Sequence, residues 1–263
     1  MTYEFDDALT LVGDPAATVF PERWTVAAGF AHGGYLMSVA LAAASHVSTH
    51  TDPVTMSAHF VRPGKAGAAK VPTRVIKSGR SLSTVAADIA QDGRVEVTTI
   101  TTFGNLSNAS DILFQDVDMP MLPSRDDCIK ADASASSLVP RMINNLDLYL
   151  TPESAAWTQG KTLENATMQG WVRFADERPI DCLSLPMFAD ALPPPVFNVG
   201  TFAPWTPTVE LTLHVRRKPD TSWLGVSFRT DLIGGMFFES SGTLWDDQGR
   251  LVGMSRQLQL IQR

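Results

Sequence analysis

Apolar residues form one long block near the start of this chain and a series of shorter runs after it. The block covers residues 32–47, where Ser38 and Ser45 are the main polar interruptions after Gly34. Leu, Met and Ala lose little rotamer freedom in a helix, so the block predicts a helix that begins near Gly34. Because this helix would have no broad polar face, we expect it to be buried on all sides. It is too short and too rich in Ala to span a bilayer, which needs about 20 strongly apolar residues.

Short runs of alternating polarity follow the block and predict strands. Asp92-Gly93 lies between two of these runs and is typical of a tight hairpin, because both positions of that turn favour a positive φ. A short strand is also expected at residues 24–26, before the helix. The strands predicted after it cover residues 54–61, 71–78, 81–91 and 94–103.

The same order of elements returns in the second half. Residues 182–192 are largely apolar and predict a second helix that ends before Pro193–Pro195. Residues 105–165 are more polar and less regular, with a flexible stretch expected at 134–137. We therefore predict an N-terminal unit at 1–108, a linker at 109–165 and a C-terminal unit at 166–263. The strands predicted in the second half cover residues 170–174, 208–217, 222–231, 235–245 and 251–261.

The spacing of turn glycines indicates an internal repeat. Gly79 and Gly93 are 14 residues apart, as are Gly235 and Gly249, and an Asp and a Gln precede Gly93 and Gly249 while Arg follows each. The repeat predicts two copies of one block, a buried helix covering an antiparallel sheet.

Composition narrows the class of protein. The 263 residues are 44% hydrophobic and 19% charged, which is typical of a globular chain. The net charge of −7 argues against nucleic acid or an anionic membrane as the main partner. Two cysteines and an acidic first stretch without an apolar signal segment lead us to expect a cytoplasmic protein.

Several common catalytic motifs do not occur in the sequence. It has no Gly-x-Ser-x-Gly nucleophile elbow, no Gly-x-Gly-x-x-Gly dinucleotide motif and no P-loop. Its five histidines and two cysteines lack metal-ligand spacing. We therefore predict neither a metal nor another cofactor, and chemistry without a covalent nucleophile.

The order of the motifs resembles thioesterase-like families related to the bacterial type II acyl-CoA thioesterases. The resemblance implies a double hotdog of class α+β, two antiparallel sheets each wrapped around a central helix and joined into one sheet. Residues 1–108 and 166–263 would then be the two hotdogs. The stretches that carry it are His32-Gly33-Gly34-Tyr35, Phe60-Val-Arg62-Pro63, Ser78-Gly79-Arg80-Ser81, Pro207–His214 and Ser255-Arg256-Gln257.

The resemblance also implies a catalytic set of an Asp, a Thr and a Gln, which fall on Asp190, Thr208 and Gln257. A carboxylate can accept a proton from water while a hydroxyl and an amide fix the direction of attack. Each residue also has a plain structural interpretation. Asp190 could cap the helix end, Thr208 could be an ordinary strand residue, and Gln257 could face solvent, as Gln259 would on the same face.

Substrate-binding residues are expected around the paired glycines and at basic strand ends. Helix N–H groups near Gly33 and Gly34 could hold the thioester oxygen. His32 and Tyr35 flank these glycines and would line the pocket or support the turn. Arg62 and Arg80 could meet the phosphates of coenzyme A, or simply be solvated charges.

The function predicted from the resemblance is hydrolysis of an acyl-CoA or acyl-carrier thioester, in fatty acid or polyketide metabolism. Two alternatives stay open at this point. One is a hotdog isomerase or dehydratase, and the other is a protein that binds acyl thioesters without catalysis. A homodimer is expected, since hotdog sheets commonly pair.

Overall fold

Fourteen strands form one antiparallel sheet in the computed structural model, which describes residues 2–26, 29–106, 112–132, 140–200 and 206–261. Most predicted strands are confirmed to within a few residues. The strands are β1 (Ala16–Phe20), β2 (Asp52–Phe60), β3 (Gly67–Val71), β4 (Thr73–Ser78), β5 (Ser83–Gln91), β6 (Arg94–Gly104), β7 (Ile129–Lys130), β8 (Leu146–Leu150), β9 (Thr167–Phe174), β10 (Thr208–Val215), β11 (Leu224–Arg229), β12 (Ile233–Gly234), β13 (Phe237–Asp246) and β14 (Leu251–Leu260).

The strand order makes the fold a double hotdog. It runs β1-β3-β5-β6-β2-β10-β14-β13-β11-β9-β8-β7, with β4 beside β5 and β12 beside β13. The two halves therefore meet where β2 pairs with β10. The hairpin β5–β6 in one half corresponds to β13–β14 in the other, in agreement with the repeat. Asp92 and Gly93 adopt the positive φ values, 50° and 75°, that this hairpin turn requires.

Helix α2 (Gly33–Val47) is the long buried helix of the N-terminal half, as predicted. Every residue from Gly34 to Ala44 is buried, and the helix packs against β5, β6 and β2. The sheet side of this contact is lined by small or branched residues such as Ala58 and Ala87, both about 1% exposed or less. Small side chains let the helix lie close to the sheet, so that the core between them is closely packed.

The second predicted helix is much shorter than expected. Of residues 182–192 only α3 (Leu185–Phe188) is helical. A turn in which Asp181 and Ser184 bond to each other precedes it. After it the backbone tightens, since the N–H of Asp190 bonds to the carbonyl of Met187, three residues back. Most apolar residues of this run are buried, as their composition predicts, but local turns and the following prolines limit the helix to one turn.

The N-terminal segment contains elements that the sequence pattern did not reveal. The strand expected at residues 24–26 is wrong, because Glu22–Trp24 form a 3₁₀ turn. Trp24 stacks on Tyr35 with ring centroids 5.5 Å apart, so tertiary packing decides this conformation. A short helix, α1 (Glu4–Ala8), precedes β1 and places Phe5 against Trp24.

The segment expected to be a linker contributes to the C-terminal sheet. Strands β7 and β8 extend the sheet beyond β9. Ahead of them, the chain crosses the outer face, where the carbonyl of Pro123 accepts a hydrogen bond of 2.9 Å from the indole of Trp171. The flexible stretch expected at 134–137 lies outside the described residues, and the unit boundaries at 108 and 165 stay a prediction. None of the helices in the described residues combines the length and the apolar character of a membrane span.

Asp52 ties three segments together at the start of β2. Its carboxylate accepts a hydrogen bond from the N–H of Leu106 at 2.8 Å and pairs with the ammonium of Lys218 at 2.8 Å. Burial alone would raise the pKa of Asp52, but the bonds from Lys218 and Leu106 outweigh it and lower the pKa below its ordinary value. This carboxylate therefore stabilises the fold while it is charged.

Replacing Asp52→Asn is expected to lower the free energy of unfolding at pH 7 by about 1–3 kcal/mol, because charge-assisted bonds are lost. The folded pKa of Asp52 lies below the unfolded value of about 3.9. The stabilisation is therefore present above that unfolded value and is lost as the pH falls through the folded one. Urea unfolding between pH 3 and pH 7 should show a shallower acid dependence in the variant. Asp220→Asn, at an exposed carboxylate, is the matched control and should stay within about 0.5 kcal/mol; equal acid slopes in all three proteins would contradict the role of Asp52.

Candidate active site

Three side chains from distant parts of the sequence meet inside the C-terminal half. The amide nitrogen of Gln257 lies 2.8 Å from Oδ1 of Asp190 and 2.7 Å from Oγ1 of Thr208. Asp190 follows α3, Thr208 begins β10 and Gln257 lies in β14. Gln257 is 5% exposed and the Asp190 side chain 14% exposed. The structure thus brings together the three residues that the family resemblance selected, in a largely buried polar cluster.

A bulge in β10 brings Thr208 to this face of the sheet. Strict alternation along β10 would place Thr208 on the same side as Glu210 and Thr212. The pairing register shifts between Thr208 and Glu210, so that Thr208 lies opposite Gln259 while Glu210 lies opposite Leu258. One extra residue in a strand reverses the side to which the preceding residues point. The hydroxyl of Thr208 therefore faces the core beside Gln257.

The carboxylate of Asp190 lies against the first turn of α2 and accepts a hydrogen bond from it. Its Oδ2 accepts a hydrogen bond from the N–H of Gly34 at 2.9 Å. The first N–H groups of a helix have no partners within it, and the helix dipole favours a negative charge there. This bond joins the N-terminal half, through α2, to the loop after α3 in the C-terminal half.

His32 bonds to the backbone carbonyl of the same residue, Asp190. Its Nδ1 accepts a hydrogen bond from the N–H of Tyr35 at 3.3 Å and so caps α2. The hydrogen of the neutral ring must then be on Nε2, which lies 2.9 Å from the carbonyl oxygen of Asp190 and 3.5 Å from its Oδ2. With the ring 6% exposed, both nitrogens are engaged by protein atoms.

Gly33 and Gly34 allow α3 and Asp190 to approach the start of α2 closely. A Cβ on Gly33 would lie 2.8 Å from Oδ2 of Asp190, and a Cβ on Gly34 would lie 2.5 Å from the carbonyl oxygen of Pro186 and 2.9 Å from Cα of Met187. Glycine is therefore needed for α3 and Asp190 to reach the helix terminus. Among the described residues, the N–H of Gly33 has no hydrogen-bond partner, whereas the N–H of Gly34 is taken by Asp190.

The remaining residues predicted to bind substrate lie apart from the cluster. The hydroxyl of Tyr35 bonds to the carbonyl of Ala8 at 2.8 Å, and its ring packs in the N-terminal core. Arg62 is exposed and donates to the carbonyl of Val95 at 2.6 Å. Arg80 is exposed in the turn before β5. Within the described parts of the chain, no hydrogen bond or ion pair connects these three side chains to Asp190.

Further polar residues on the inner face of the C-terminal sheet were missed. Gln259, expected to face solvent, is 4% exposed, and Ser240 and Thr230 are buried as a hydrogen-bonded pair at 3.0 Å. Gln257 and Gln259 are two residues apart on one strand and must share a face. Once Gln257 is placed in the core, that spacing alone would have placed Gln259 there too.

No group of three or more His, Cys, Asp or Glu residues able to hold a metal occurs in the described residues.

Comparison with known proteins places this chain among thioesterases. Residues 20–104 match the model of the acyl-CoA thioesterase N-terminal domain and residues 123–261 that of the C-terminal domain. A solved structure from Thermobifida fusca, assigned as a thioesterase II, has 31% identity, a TM-score of 0.90 and coverage of 100% of this chain and 98% of that one.

Two further proteins match nearly the whole chain at lower identity. An acyl-CoA thioesterase II from Mycobacterium marinum has 19% identity and a TM-score of 0.75, covering 98% of both chains. An uncharacterized protein of Mycobacterium tuberculosis is 26% identical over 285 residues, covering 95% of this chain and 93% of that protein.

Replacing Gly34→Ala is expected to separate α2 from α3, because the new methyl group overlaps the backbone of Pro186 and Met187. Overpacking of this kind costs about 1–3 kcal/mol of stability. The measurement is the free energy of unfolding by urea. Gly234→Ala, where an added Cβ would meet nothing within 4 Å, is the matched control and should change it by less than about 0.5 kcal/mol. Equal stabilities of the two variants would show that Gly34 is not needed for the close approach.

Proposed function

The chain belongs to the acyl-CoA thioesterase family, and from this premise we propose that it hydrolyses an acyl thioester, carried by coenzyme A or by a carrier protein, with a water held by Asp190, Thr208 and Gln257. The observation that carries the proposal is the single amide of Gln257 bonded to both Asp190 and Thr208. A carboxylate, a hydroxyl and an amide that converge in a buried site are the groups needed to hold one water in a fixed direction.

In the proposed reaction the water oxygen attacks the carbonyl carbon of the thioester. Asp190 takes a proton from that water, while Thr208 and Gln257 fix its position. The carbon–sulfur bond then breaks, and the leaving thiolate takes up the proton that Asp190 accepted, which returns Asp190 to its carboxylate form. The products are a free acid and a thiol.

The thioester oxygen gains negative charge during the attack and needs a donor. The N–H of Gly34 already bonds to Asp190, so we assign this role to the N–H of Gly33 at the helix terminus. A donor that is already in position needs no reorganisation when charge develops, and the helix dipole adds to its effect.

His32 is assigned to position Asp190 rather than to contact substrate, since both of its ring nitrogens bond to protein groups. The same observation disfavours the dehydratase alternative, in which a histidine would need a free nitrogen facing the substrate. Arg62 lies two residues after Phe60, whose ring lies next to Gly33, and is therefore proposed to meet the phosphates of coenzyme A. Arg80, an exposed cation in the turn before β5, is proposed as a second phosphate contact on its charge alone.

Asp190→Asn is expected to lower kcat/KM for acyl-CoA hydrolysis at least 100-fold, because an amide cannot accept the water proton. Gln257→Leu should lower it by a similar factor, because the water and Asp190 lose their common anchor. The measurement is thiol release from a series of acyl-CoA chain lengths, with thermal unfolding to verify the fold.

Asp92→Asn is the matched control, since Asp92 is exposed in the β5–β6 turn and Asn tolerates its positive φ. It should hydrolyse acyl-CoA like the unaltered protein. Turnover of Asp190→Asn at the unaltered rate would refute the assignment, and binding of acyl-CoA without turnover in the unaltered protein would favour a non-catalytic binding role.

His32→Asn is expected to keep the cap of α2, because Asn is a good N-cap residue, and to lose the bond to Asp190. A positioning role predicts a fall in kcat of about tenfold with KM and melting temperature little changed, since only the orientation of the carboxylate is disturbed. A rise in KM with kcat unchanged would instead indicate direct contact with substrate.

A further inference from the structure

A second amide–hydroxyl couple lies next to the first on the inner face of the sheet. Gln259 in β14 faces Thr206, just as Gln257 faces Thr208. The amide nitrogen of Gln259 lies 3.5 Å from both Oγ1 and the carbonyl oxygen of Thr206. Gln259 is 4% and Thr206 7% exposed. The couple is therefore part of the same buried polar row, one step further along both segments.

The orientation of this amide is set by its partner. A backbone carbonyl can only accept a hydrogen bond, so the nitrogen of Gln259 has to face Thr206 and its oxygen has to face the other way. That oxygen, Oε1, is buried and has no hydrogen-bond partner among the residues that the structure describes.

A buried amide oxygen without a donor costs about 1–3 kcal/mol, which a leucine or methionine at the same position would avoid. Gln259 pairs through its backbone with Phe238 on one side and Thr208 on the other, and this pairing does not require an amide side chain. A donor supplied by a bound molecule would remove the cost. The unpaired Oε1 of Gln259 thus indicates a ligand that carries an N–H or O–H group.

We propose that Gln259 is a specificity residue that accepts a hydrogen bond from an N–H or O–H group of the bound thioester. This rests on the proposed function, since it takes Gln257 as the place where the thioester carbon lies. Two residues of a strand span roughly 7 Å, so the donor belongs to an atom only a few bonds from the thioester.

Two parts of an acyl thioester offer such a donor. One is a hydroxyl group near the start of the acyl chain, and the other is the first amide N–H of the pantetheine arm. Both present the same chemistry to Gln259, and the test separates them.

The test uses three uncleavable pantetheine thioethers, in which a methylene separates the sulfur from the acyl carbonyl. The parent has a plain acyl chain, the second carries a hydroxyl on the third acyl carbon, and the third has an ester in place of the amide nearest the sulfur. Their dissociation constants are measured by calorimetry with the unaltered protein, Gln259→Leu and Gln169→Leu. Gln169 lies on the outer face of the sheet and bonds to Ser227, which makes it the matched control.

If the donor is in the acyl chain, the unaltered protein should bind the hydroxyl compound about tenfold more tightly than the parent, as expected for one hydrogen bond to a buried acceptor. If it is in the arm, the ester compound should bind about tenfold more weakly than the parent. In either case Gln259→Leu should abolish the difference and Gln169→Leu should retain it. No difference in the unaltered protein, or one that persists in Gln259→Leu, overturns the proposal.

Hydrolysis of the corresponding thioesters keeps the two proposals separate. Turnover without any discrimination dependent on Gln259 overturns the specificity role and leaves the hydrolase intact. Discrimination in binding without turnover supports the specificity role and overturns hydrolysis.

Discussion

The site depends on the hydrogen bond between the Asp190 carboxylate and the first turn of α2. The carboxylate comes from the C-terminal half and the helix from the N-terminal half, so the site exists only when both are folded together. One oxygen accepts the N–H of Gly34 and the other the amide of Gln257. A helix N-terminus provides unpaired donors and a favourable dipole for this charge. The absence of a Cβ at Gly34 makes the approach sterically possible.

The continuous sheet sets the position of everything else. Because β2 and β10 pair in the middle, the inner faces of both halves share one surface under the helices. The halves have the same strand plan but different contents. A 15-residue helix covers the N-terminal half, whereas the C-terminal half has a one-turn helix and a row of buried amides and hydroxyls. Polar groups in a core are costly unless they are bonded or used, which is why the row indicates chemistry.

His32 illustrates how a supporting residue is distinguished from a contacting one. The chain position of His32, beside the glycine turn, fits either role equally well. Its two hydrogen bonds decide between them, since one nitrogen caps α2 and the other holds Asp190. Tyr35 is similar, because its hydroxyl bonds to Ala8 and its ring completes the aromatic core with Trp24.

Periodicity, turn glycines and spacing are local properties of the chain, and they were enough to predict the repeated block, the buried first helix and most strands of the sheet. The choice of Asp190, Thr208 and Gln257 as a candidate catalytic set came instead from the resemblance to a family. The folded structure was needed to show that residues 182–192 contain a single helical turn, that residues 22–24 form a 3₁₀ turn and that the segment predicted as a linker adds strands. It also showed which side of the sheet Thr208 and Gln259 face. The bulge in β10 reverses the side that alternation alone predicts for Thr208, and the pairing of β10 with β14 places Gln259 on the same side. A side chain's face depends on the register between strands far apart in sequence, and that register is a property of the folded sheet rather than of any one segment.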